Sequence, residues 1–154
     1  MPNAKLNSDA ALQLDRQLCF ALYSASHAMS KAYKPHLDTL GLTYPQYVAM
    51  LVLWERDGLT VSEMGERLYL DSGTLTPLLK RLEAAGYISR LRDAADERRV
   101  LIQLTAAGRR LKAQAEPIPA CMFETMQCSL SEIASLTQQV QQLRDRLQAA
   151  QARA

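Results

Sequence analysis

The sequence predicts a mainly α-helical protein with one small β-hairpin, and three observations support this fold class. Apolar side chains recur at helical spacing over most of the 154 residues. Only the segment 88–104 differs, since it has two short runs of strand-forming residues around a charged loop. No internal repeat is present, and the length suits one domain, 1–154, with a sizeable core.

Composition and charge narrow the class of protein. No apolar run approaches the roughly 18 residues that a membrane span needs, and no hydrophobic signal segment opens the chain. We therefore expect a cytoplasmic protein with no membrane partner. The net charge of +2 is too small to prove a nucleic-acid partner, but basic residues gather between Lys80 and Arg110.

The three cysteines, Cys19, Cys121 and Cys128, are odd in number and widely separated. An odd number argues against a secreted disulfide framework, so free thiols are the expected state. The separation, with only two histidines in the chain, also argues against a zinc site. We predict neither a metal nor a cofactor.

The N-terminal third predicts two helices. Apolar side chains from Leu14 to Met29 indicate one unbroken helix over 11–38, with Cys19 in its apolar stripe. The run LGLTYP ends this helix, because glycine suits a C-terminal cap and proline suits the first turn of the next helix. That second helix, YPQYVAMLVLWE, closes before Asp57-Gly58.

The middle of the chain predicts four elements in this order: a short helix, a tight turn, a longer helix and a hairpin. Thr60, followed three residues later by Glu63, has the spacing of a capping box for the short helix. The longer helix runs from about Asp71 to Ala85, and Pro77 costs it one backbone bond unless it starts near Thr74. This order is that of a winged helix-turn-helix, whose second helix lies in a DNA major groove.

Polar side chains on the longer helix and the hairpin carry the predicted contacts with double-stranded operator DNA. The helix offers hydroxyls for base edges or phosphates and basic groups for the backbone, namely Ser72, Thr74, Thr76, Lys80 and Arg81. The hairpin offers guanidinium groups for a minor groove or for phosphates, namely Arg90, Arg92, Arg98 and Arg99. Asp96 can bridge to Arg98 or Arg99 and hold the tip in shape. Capping or solvation would explain each piece alone, but together, in this order, they indicate DNA binding.

Amphipathic helices flank the winged helix-turn-helix unit, which we take as about 44–105. Thr105 caps a helix that two prolines then interrupt, and the last helix begins near Ser131. The flanking segments, 11–43 and 106–154, would expose apolar stripes in a single chain, and a second copy would bury them. We therefore predict N- and C-terminal dimerisation helices and a homodimer. The alternative is a monomer whose helices close on its own winged domain.

Several stretches resemble a known family. DSGTLTPLLKRLEAAGYISRLRDAADERRVLIQLTAAG is similar to the MarR family of winged-helix regulators. LCFALY and LGLTYPQYVAMLVLWE resemble its organic-hydroperoxide-sensing, OhrR-like branch, over roughly residues 12–115. The resemblance implies a dimeric repressor rather than an enzyme, with Cys19 as the peroxide-reactive cysteine. It also implies that Tyr33 and Tyr44 hydrogen-bond this cysteine across the dimer.

From the residues alone, Cys19 is either a small hydrophobic side chain or a reactive thiol. Tyr23 lies one helical turn away on the same face, whereas Tyr33 is about 21 Å further along a straight helix. A partner chain could bring Tyr33 or Tyr44 to Cys19, where phenol donors would stabilise the thiolate that peroxides attack. For Tyr23 and Tyr47, an ordinary core position explains the residue equally well.

Oxidation of Cys19 by an organic hydroperoxide gives a sulfenic acid, and the resemblance implies a resolving cysteine on the other subunit. Cys121 and Cys128, seven residues apart, should lie on nearly the same helical face. We favour Cys121, because it follows the proline break where the chain can move. Cys128 or a small-molecule thiol is the alternative. The expected pocket for the inducer is lined by Phe20, Leu22, Met50 and the tyrosines.

These observations predict a repressor that senses organic hydroperoxides and leaves its DNA when a Cys19–Cys121 disulfide links the subunits. The alternative is a regulator released by a non-covalent phenolic or drug-like ligand, in which Cys19 only packs. A thiol peroxidase is a weaker alternative. No arginine or glutamate neighbours Cys19 in sequence to support turnover, and that activity would leave the DNA-binding unit unexplained.

Overall fold

Helices dominate the fold of residues 8–154, which are the part of the chain that the computed structural model describes. The elements fall into two compact units, the first ending at Glu116 and the second running from Pro117 to Ala154. The first unit contains α1 (Ser8–Ala11), α2 (Leu18–Asp38), α3 (Tyr44–Glu55), β1 (Leu59–Thr60), α4 (Val61–Leu68), α5 (Ser72–Ala84), β2 (Ile88–Arg92), β3 (Val100–Leu104) and α6 (Ala106–Ala115). The second contains α7 (Ile118–Met126) and α8 (Leu130–Ala152). The predicted fold class is confirmed.

The sheet is antiparallel and has the strand order β1-β3-β2. Ile88 pairs with Leu104 and Arg92 with Val100, so the hairpin sits where the sequence predicts it. The two-residue strand β1 pairs Leu59 with Ile102. Sequence patterns did not predict β1, because two residues are too short for a strand pattern.

The helix-turn-helix consists of α4 and α5, and local caps define its ends. Thr60 accepts a hydrogen bond from the backbone N–H of Glu63 at 3.1 Å, as the sequence predicted for this cap. At the end of α4, Tyr69 adopts a left-handed backbone conformation with φ of 57°. Asp71 then caps α5 by accepting from the N–H of Thr74 at 2.7 Å. The tight turn between these caps fixes where α5 begins.

A single apolar core holds the helix-turn-helix and the sheet of the first unit together. One face of α5 is buried, and α3 and the sheet contribute further fully or nearly fully buried side chains: Leu75, Leu78, Leu79, Leu82, Met50, Leu53, Ile88 and Ile102. Trp54 joins α3 to α6, because its indole N–H donates to the carbonyl of Gly108 at 2.9 Å. With one face of α5 buried in this way, its polar face is left at the surface.

The predicted unbroken helix over 11–38 is wrong. α1 ends at Ala11, a 3-10 turn occupies Leu14–Arg16, and α2 begins only at Leu18. The side-chain amide of Gln17 donates to the carbonyls of Ala11 and Gln13 at 2.6 and 2.9 Å. These side-chain bonds replace the helical backbone pairing, and the extended backbone at Gln17 ends the N-terminal segment.

The predicted N-cap of the last helix is also wrong, by two residues. Ser129, not Ser131, accepts the hydrogen bond from the N–H of Glu132 at 3.1 Å, and α8 begins at Leu130. Both serines offer a hydroxyl before an apolar run, so the sequence signal is ambiguous. The interruption predicted from Pro117 and Pro119 is confirmed, since α6 ends at Ala115 and α7 begins at Ile118.

Long helical faces remain uncovered in the single chain. Of the described residues that form the 21-residue helix α2, Leu37 alone is buried. Over residues 8–154, no side chain of α8 is buried, and Leu136, Val140 and Leu147 are exposed. None of the helices in this part of the chain is long and apolar enough to span a membrane.

Gly108 is expected to tolerate no side chain, because a Cβ there would overlap the carbonyl oxygen of Tyr87. That oxygen also accepts the N–H of Thr105 at 3.0 Å, so it cannot move freely. Helix propensity favours alanine over glycine by about 1 kcal/mol, but overpacking costs about 1–3 kcal/mol. The atom in the way belongs to the backbone and cannot rotate aside, so the upper part of that range applies. We expect Gly108→Ala to lower the free energy of unfolding by about 1–2 kcal/mol, measured by urea denaturation.

Gly73→Ala is the matched control, since a Cβ at Gly73 meets only ordinary contact distances. We expect its stability to be unchanged or higher. A Gly108→Ala protein as stable as wild type would contradict the close approach of α6 to Tyr87.

Candidate nucleic-acid interface and redox site

The polar face of α5 carries the side chains predicted to contact DNA. Ser72, Thr74, Lys80 and Arg81 are exposed, and Thr76 is half-buried. The hydrogen bond from Thr74 lowers the pKa of the capping Asp71 carboxyl. Pro77 lies inside α5 and has no backbone N–H. The helix therefore lacks one backbone hydrogen bond there, as the sequence predicted. The first turns of α5 thus carry hydroxyl side chains, and its later turns carry the cationic side chains.

The wing, meaning β2, β3 and the loop 93–99 between them, is closed by its own polar groups. Asp96 accepts from the N–H and the Nε of Arg98 at 3.1 and 3.3 Å, which confirms the predicted bridge. Arg92 donates from Nη1 to the carbonyl of Glu97 at 2.8 Å. The Arg98 side chain is 92% exposed despite its bridge, so its guanidinium is the most accessible cation of the loop's two arginines.

Two glutamates that the sequence did not connect with the wing tie it to the helix-turn-helix. Glu83 on α5 accepts from the backbone N–H of Arg90 at 3.1 Å and from its Nε at 3.2 Å. Arg90 lowers the pKa of the Glu83 carboxyl through these bonds. Glu63 on α4 pairs with Nη2 of Arg99 at 3.6 Å. No local spacing rule links these partners, because a turn separates them.

α4, α5 and the wing border one groove of about 600 Å³. Its lining combines hydroxyls from both helices with arginines of the wing, and includes Thr60, Ser62, Ser72, Thr76, Arg90, Arg98 and Arg99. Five of the residues that the sequence predicted to contact DNA therefore line one surface. Such a surface suits a polyanion that contacts helix and wing together.

Cys19 lies in the first turn of α2 and is exposed in the single chain. Leu18 and Phe20 beside it are exposed as well. Tyr23, one turn on, stacks against His27 with ring centroids 4.3 Å apart. The predicted buried stripe around Cys19 is therefore not covered by the chain's own residues 8–154. It is an apolar surface that carries a thiol.

Three tyrosines cluster where the second half of α2 meets the start of α3. The ring of Tyr33 lies 5.0 Å from Tyr44 and 5.8 Å from Tyr47. Burial and the two neighbouring phenols raise the pKa of Tyr33 to about 12, and burial raises that of Tyr47. Tyr33 therefore stays a neutral hydrogen-bond donor at neutral pH. The sequence predicted roles for Tyr33 and Tyr44, and the structure adds Tyr47 at the base of the same cluster.

The tyrosine cluster and Cys19 are far apart within one chain. Fourteen residues of continuous helix separate Cys19 from Tyr33, which corresponds to about 21 Å. Pro35, the proline inside α2, comes after Tyr33 and does not shorten this path. Another molecule is needed to bring the Tyr33 phenol to the thiol.

An open groove of about 230 Å³ runs along α2 beside Tyr44. Leu22 and Met29 contribute apolar surface to it, and Ser26 and Ser30 contribute hydroxyls. Of the predicted lining, Leu22 and Tyr44 border this groove, but Phe20 does not. Met50 is fully buried in the core and cannot face a ligand. Met29, one turn before Tyr33, occupies the place assigned to Met50.

The prediction that the two C-terminal cysteines lie on nearly the same helical face is wrong. Cys121 lies within α7, but Cys128 follows its end, after Gln127 has turned the backbone to φ of 52°. The Cys128 thiol donates to the carbonyl of Met126 at 3.4 Å. Both thiols are free and half-buried.

Alkaline pH is expected to destabilise the tyrosine cluster. Because the Tyr33 pKa is raised from 10.0 to about 12, its stabilising contribution is complete below pH 10 and is lost as the pH rises through about 12. We expect the denaturation midpoint to fall over this window. Tyr33→Phe should remove part of that fall, whereas Tyr23→Phe, at an exposed position, should not.

Comparisons with known proteins agree on one group of regulators. The sequence model of the family described as "Transcriptional regulator SarA/Rot" matches residues 31–115. The HTH-type transcriptional regulator TtmR of Methylorubrum extorquens is 50% identical over 141 residues, which cover 92% of this chain and 72% of the relative. The organic hydroperoxide resistance transcriptional regulator of Bacillus subtilis is 57% identical over 112 residues, covering 73% and 76%.

Solved structures of AbfR from Staphylococcus epidermidis have the same fold. Reduced AbfR bound to DNA matches with a TM-score of 0.73 and 33% identity, covering 91% of this chain and 97% of AbfR. Disulfide-formed AbfR matches with a TM-score of 0.62 and 35% identity, covering 88% and 96%.

Proposed function

Because this chain belongs to the SarA/Rot family of winged-helix transcriptional regulators, in the OhrR-like branch of the MarR group, we propose that it is a peroxide-sensing repressor. In its reduced form it binds operator DNA as a homodimer. Oxidation of Cys19 by an organic hydroperoxide releases the DNA. The protein acts on DNA in the cytoplasm and is not an enzyme.

The groove between α4, α5 and the wing is the observation that carries the DNA-binding part of the proposal. Side chains of α5 enter the major groove, where Ser72, Thr74 and Thr76 reach base edges or phosphates. Lys80 and Arg81 contact the DNA backbone, as do Arg92 and Arg98 of the wing, which are both exposed. The DNA-bound structure of reduced AbfR, which has the same fold, supports the same assignment.

The uncovered faces of α2 and α8 support the homodimer. Each helix exposes apolar side chains along its length, among them Leu18, Leu136 and Leu147. A two-fold partner covers such faces and also sets two recognition helices about one DNA turn apart. The same partner brings Tyr33 and Tyr44 to Cys19, which resolves the separation of about 21 Å within one chain.

The proposed chemistry is a two-electron oxidation of Cys19. Its thiolate attacks one oxygen of the hydroperoxide ROOH, the O–O bond breaks, and the products are Cys19–SOH and, after protonation, the alcohol ROH. Phenol donors from the partner stabilise the thiolate before attack. The groove beside Leu22, Met29 and Tyr44 suits the apolar R group.

A second thiol completes the switch. The thiol of Cys121 in the partner attacks the sulfenic acid, an S–S bond forms, and water leaves. A disulfide needs its Cα atoms within about 7 Å, so forming it pulls on helices that start further apart. A coupling of about 3 kcal/mol between this change and DNA binding weakens the operator complex over 100-fold. The disulfide-formed structure of AbfR supports this route.

A gel shift tests the proposal. Promoter DNA flanking the gene for this protein is titrated with reduced protein, with and without cumene hydroperoxide, and each sample is then run on a non-reducing gel. We expect reduced protein to form a complex with the DNA and peroxide to dissociate this complex. A covalent dimer should appear on the non-reducing gel at the same peroxide concentrations. A complex that survives peroxide and dissolves only with a phenolic ligand would favour the non-covalent alternative. Multi-turnover loss of peroxide with a thiol reductant would favour a peroxidase.

Single cysteine variants identify the resolving thiol. We expect Cys121→Ser to abolish the covalent dimer and to slow DNA release, because the sulfenic acid then has no protein thiol to attack it. Cys128→Ser is the matched control and should behave as wild type. The reverse pattern would assign resolution to Cys128, and a normal response of both variants would assign it to a small-molecule thiol.

A further inference from the structure

Glu83 contacts Arg90, and this contact and the negative charge of Glu83 have opposite expected effects on DNA binding. Glu83 is an acidic side chain on α5, the helix proposed to enter the major groove. By charge alone it repels phosphates, and its removal should tighten DNA binding. Its geometry gives it another role.

Glu83 binds both the main chain and the side chain of Arg90. One carboxylate oxygen accepts from the N–H of Arg90 at 3.1 Å, and the other lies 3.2 Å from both Nε and Nη2. The Glu83 side chain thus joins the last turn of α5 to the third residue of β2. Since both partners are only partly exposed, at 38% and 28%, water weakens this contact less than a fully exposed pair.

The register of the hairpin explains why Arg90 faces α5. Side chains alternate along a strand, so Arg90 points to the same face as the buried Ile88. Arg90 pairs with Ile102 on β3, which is fully buried. The guanidinium therefore lies against the body of the unit rather than on the outer face of the wing.

The arginines of the wing divide into two kinds. Arg90 is held by Glu83, and Arg99 is held by Glu63 and by Asp93 at 3.6 and 4.0 Å. Arg98 instead keeps 92% of its side chain exposed. A phosphate would have to enter a partly buried contact to reach Arg90 and to displace two carboxylates to reach Arg99. The guanidinium of Arg98 stays open to solvent, although its Nε is bridged to Asp96.

We propose that Glu83 is a positioning residue for DNA binding, which sets the angle between α5 and the wing through Arg90. Arg90 then donates the hydrogen bonds of this tie and makes no DNA contact itself. The tie lets α5 and the exposed arginine of the wing reach adjacent grooves at once. This inference rests on the proposed function of DNA binding and assigns Arg90 a different role within it.

Glu83→Ala tests the tie through operator affinity. At about 0.15 M salt, we expect binding to weaken about tenfold, with the slope of log affinity against log salt reduced by about one to two phosphate contacts. Minor-groove protection by the wing should be lost, while major-groove protection by α5 remains. Glu83→Gln, which keeps one acceptor oxygen, should fall between wild type and Glu83→Ala.

Glu97→Gln is the matched control, because it removes one negative charge from the wing loop without removing a contact to α5. We expect it to bind DNA as tightly as wild type or more tightly. If Glu83→Ala behaves in the same way, charge governs and the tie is refuted. An affinity loss with an unchanged salt slope and uniformly weaker footprints would refute it too, since that marks general damage to the fold.

Arg90→Gln keeps the test valid if Glu83→Ala folds poorly. The tie predicts that Arg90→Gln weakens binding as much as Glu83→Ala, and that the double variant is no weaker than either one. Additive losses would mean that Arg90 contacts DNA directly.

Amide hydrogen exchange separates failure of the tie from failure of the proposed function, because it needs no DNA. The Arg90 amide should exchange faster in Glu83→Ala than in wild type or Glu97→Gln. Unchanged exchange would refute the tie even if the wild-type protein binds its operator. Faster exchange in a protein that binds no operator would retain the tie and refute the function.

Discussion

Cys19→Ser should produce a repressor that binds its operator but no longer responds to organic hydroperoxide. Serine keeps the size and position of the side chain but cannot form a sulfenic acid or a disulfide. Wild-type protein should lose over 100-fold in operator affinity on oxidation, corresponding to about 3 kcal/mol, whereas the variant should lose nothing. Fluorescence anisotropy with labelled operator DNA, before and after cumene hydroperoxide, measures both values.

The double variant Cys121→Ser/Cys128→Ser is the control for this result. It keeps Cys19 as its one remaining cysteine, so a sulfenic-acid probe should still label it after peroxide treatment. If Cys19→Ser released DNA on peroxide treatment like wild type, the sensing role of Cys19 would be wrong. The non-covalent alternative would then gain support only if a phenolic ligand also released the DNA.

Replacing Tyr33 and Tyr44 together by phenylalanine should slow the oxidation of Cys19. The rings keep their packing, 5.0 Å apart between centroids, but the two hydroxyl donors are lost. A hydrogen bond to a charged group contributes about 1.5–3 kcal/mol, so losing such bonds to the thiolate should slow oxidation roughly 10- to 100-fold. Stopped-flow loss of the free thiol under excess hydroperoxide gives the rate.

Two variants isolate the cause of this slowing. Tyr87→Phe removes a phenol whose hydroxyl donates to the carbonyl of Leu40 at 3.3 Å, outside the cluster, and should oxidise at the wild-type rate. Tyr23→Phe shows whether the phenol next to Cys19 on its own helix contributes. An unchanged rate in Tyr33→Phe/Tyr44→Phe would remove the phenols from the mechanism.

Most helices and the hairpin could be predicted from sequence because their signals are local. Thr60, Asp71 and Thr105 each cap the helix that the apolar spacing predicted. The break before α2 could not be predicted in this way. It depends on the side chain of Gln17 reaching two carbonyls, and apolar spacing does not register such a bond.

In the candidate site, too, local contacts could be predicted from sequence and contacts between distant segments could not. The bridge between Asp96 and Arg98 was predictable because the partners lie two residues apart. The ties from Glu83 and Glu63 depend on how the hairpin folds back on the helices, so no local sequence pattern predicts them. Likewise Met50 and Met29 both follow an apolar pattern, and only packing shows that Met50 is buried.

Mixed dimers test most directly the claim that the phenols of one subunit activate the thiol of the other. One pairing joins a chain with Cys19 and Tyr33→Phe/Tyr44→Phe to a chain with Cys19→Ser and intact tyrosines. The opposite pairing joins a chain with Cys19 and intact tyrosines to one that carries all three substitutions. We predict that the single Cys19 is oxidised at the wild-type rate in the first pairing and slowly in the second. Fast oxidation in the second pairing and slow oxidation in the first would contradict the account.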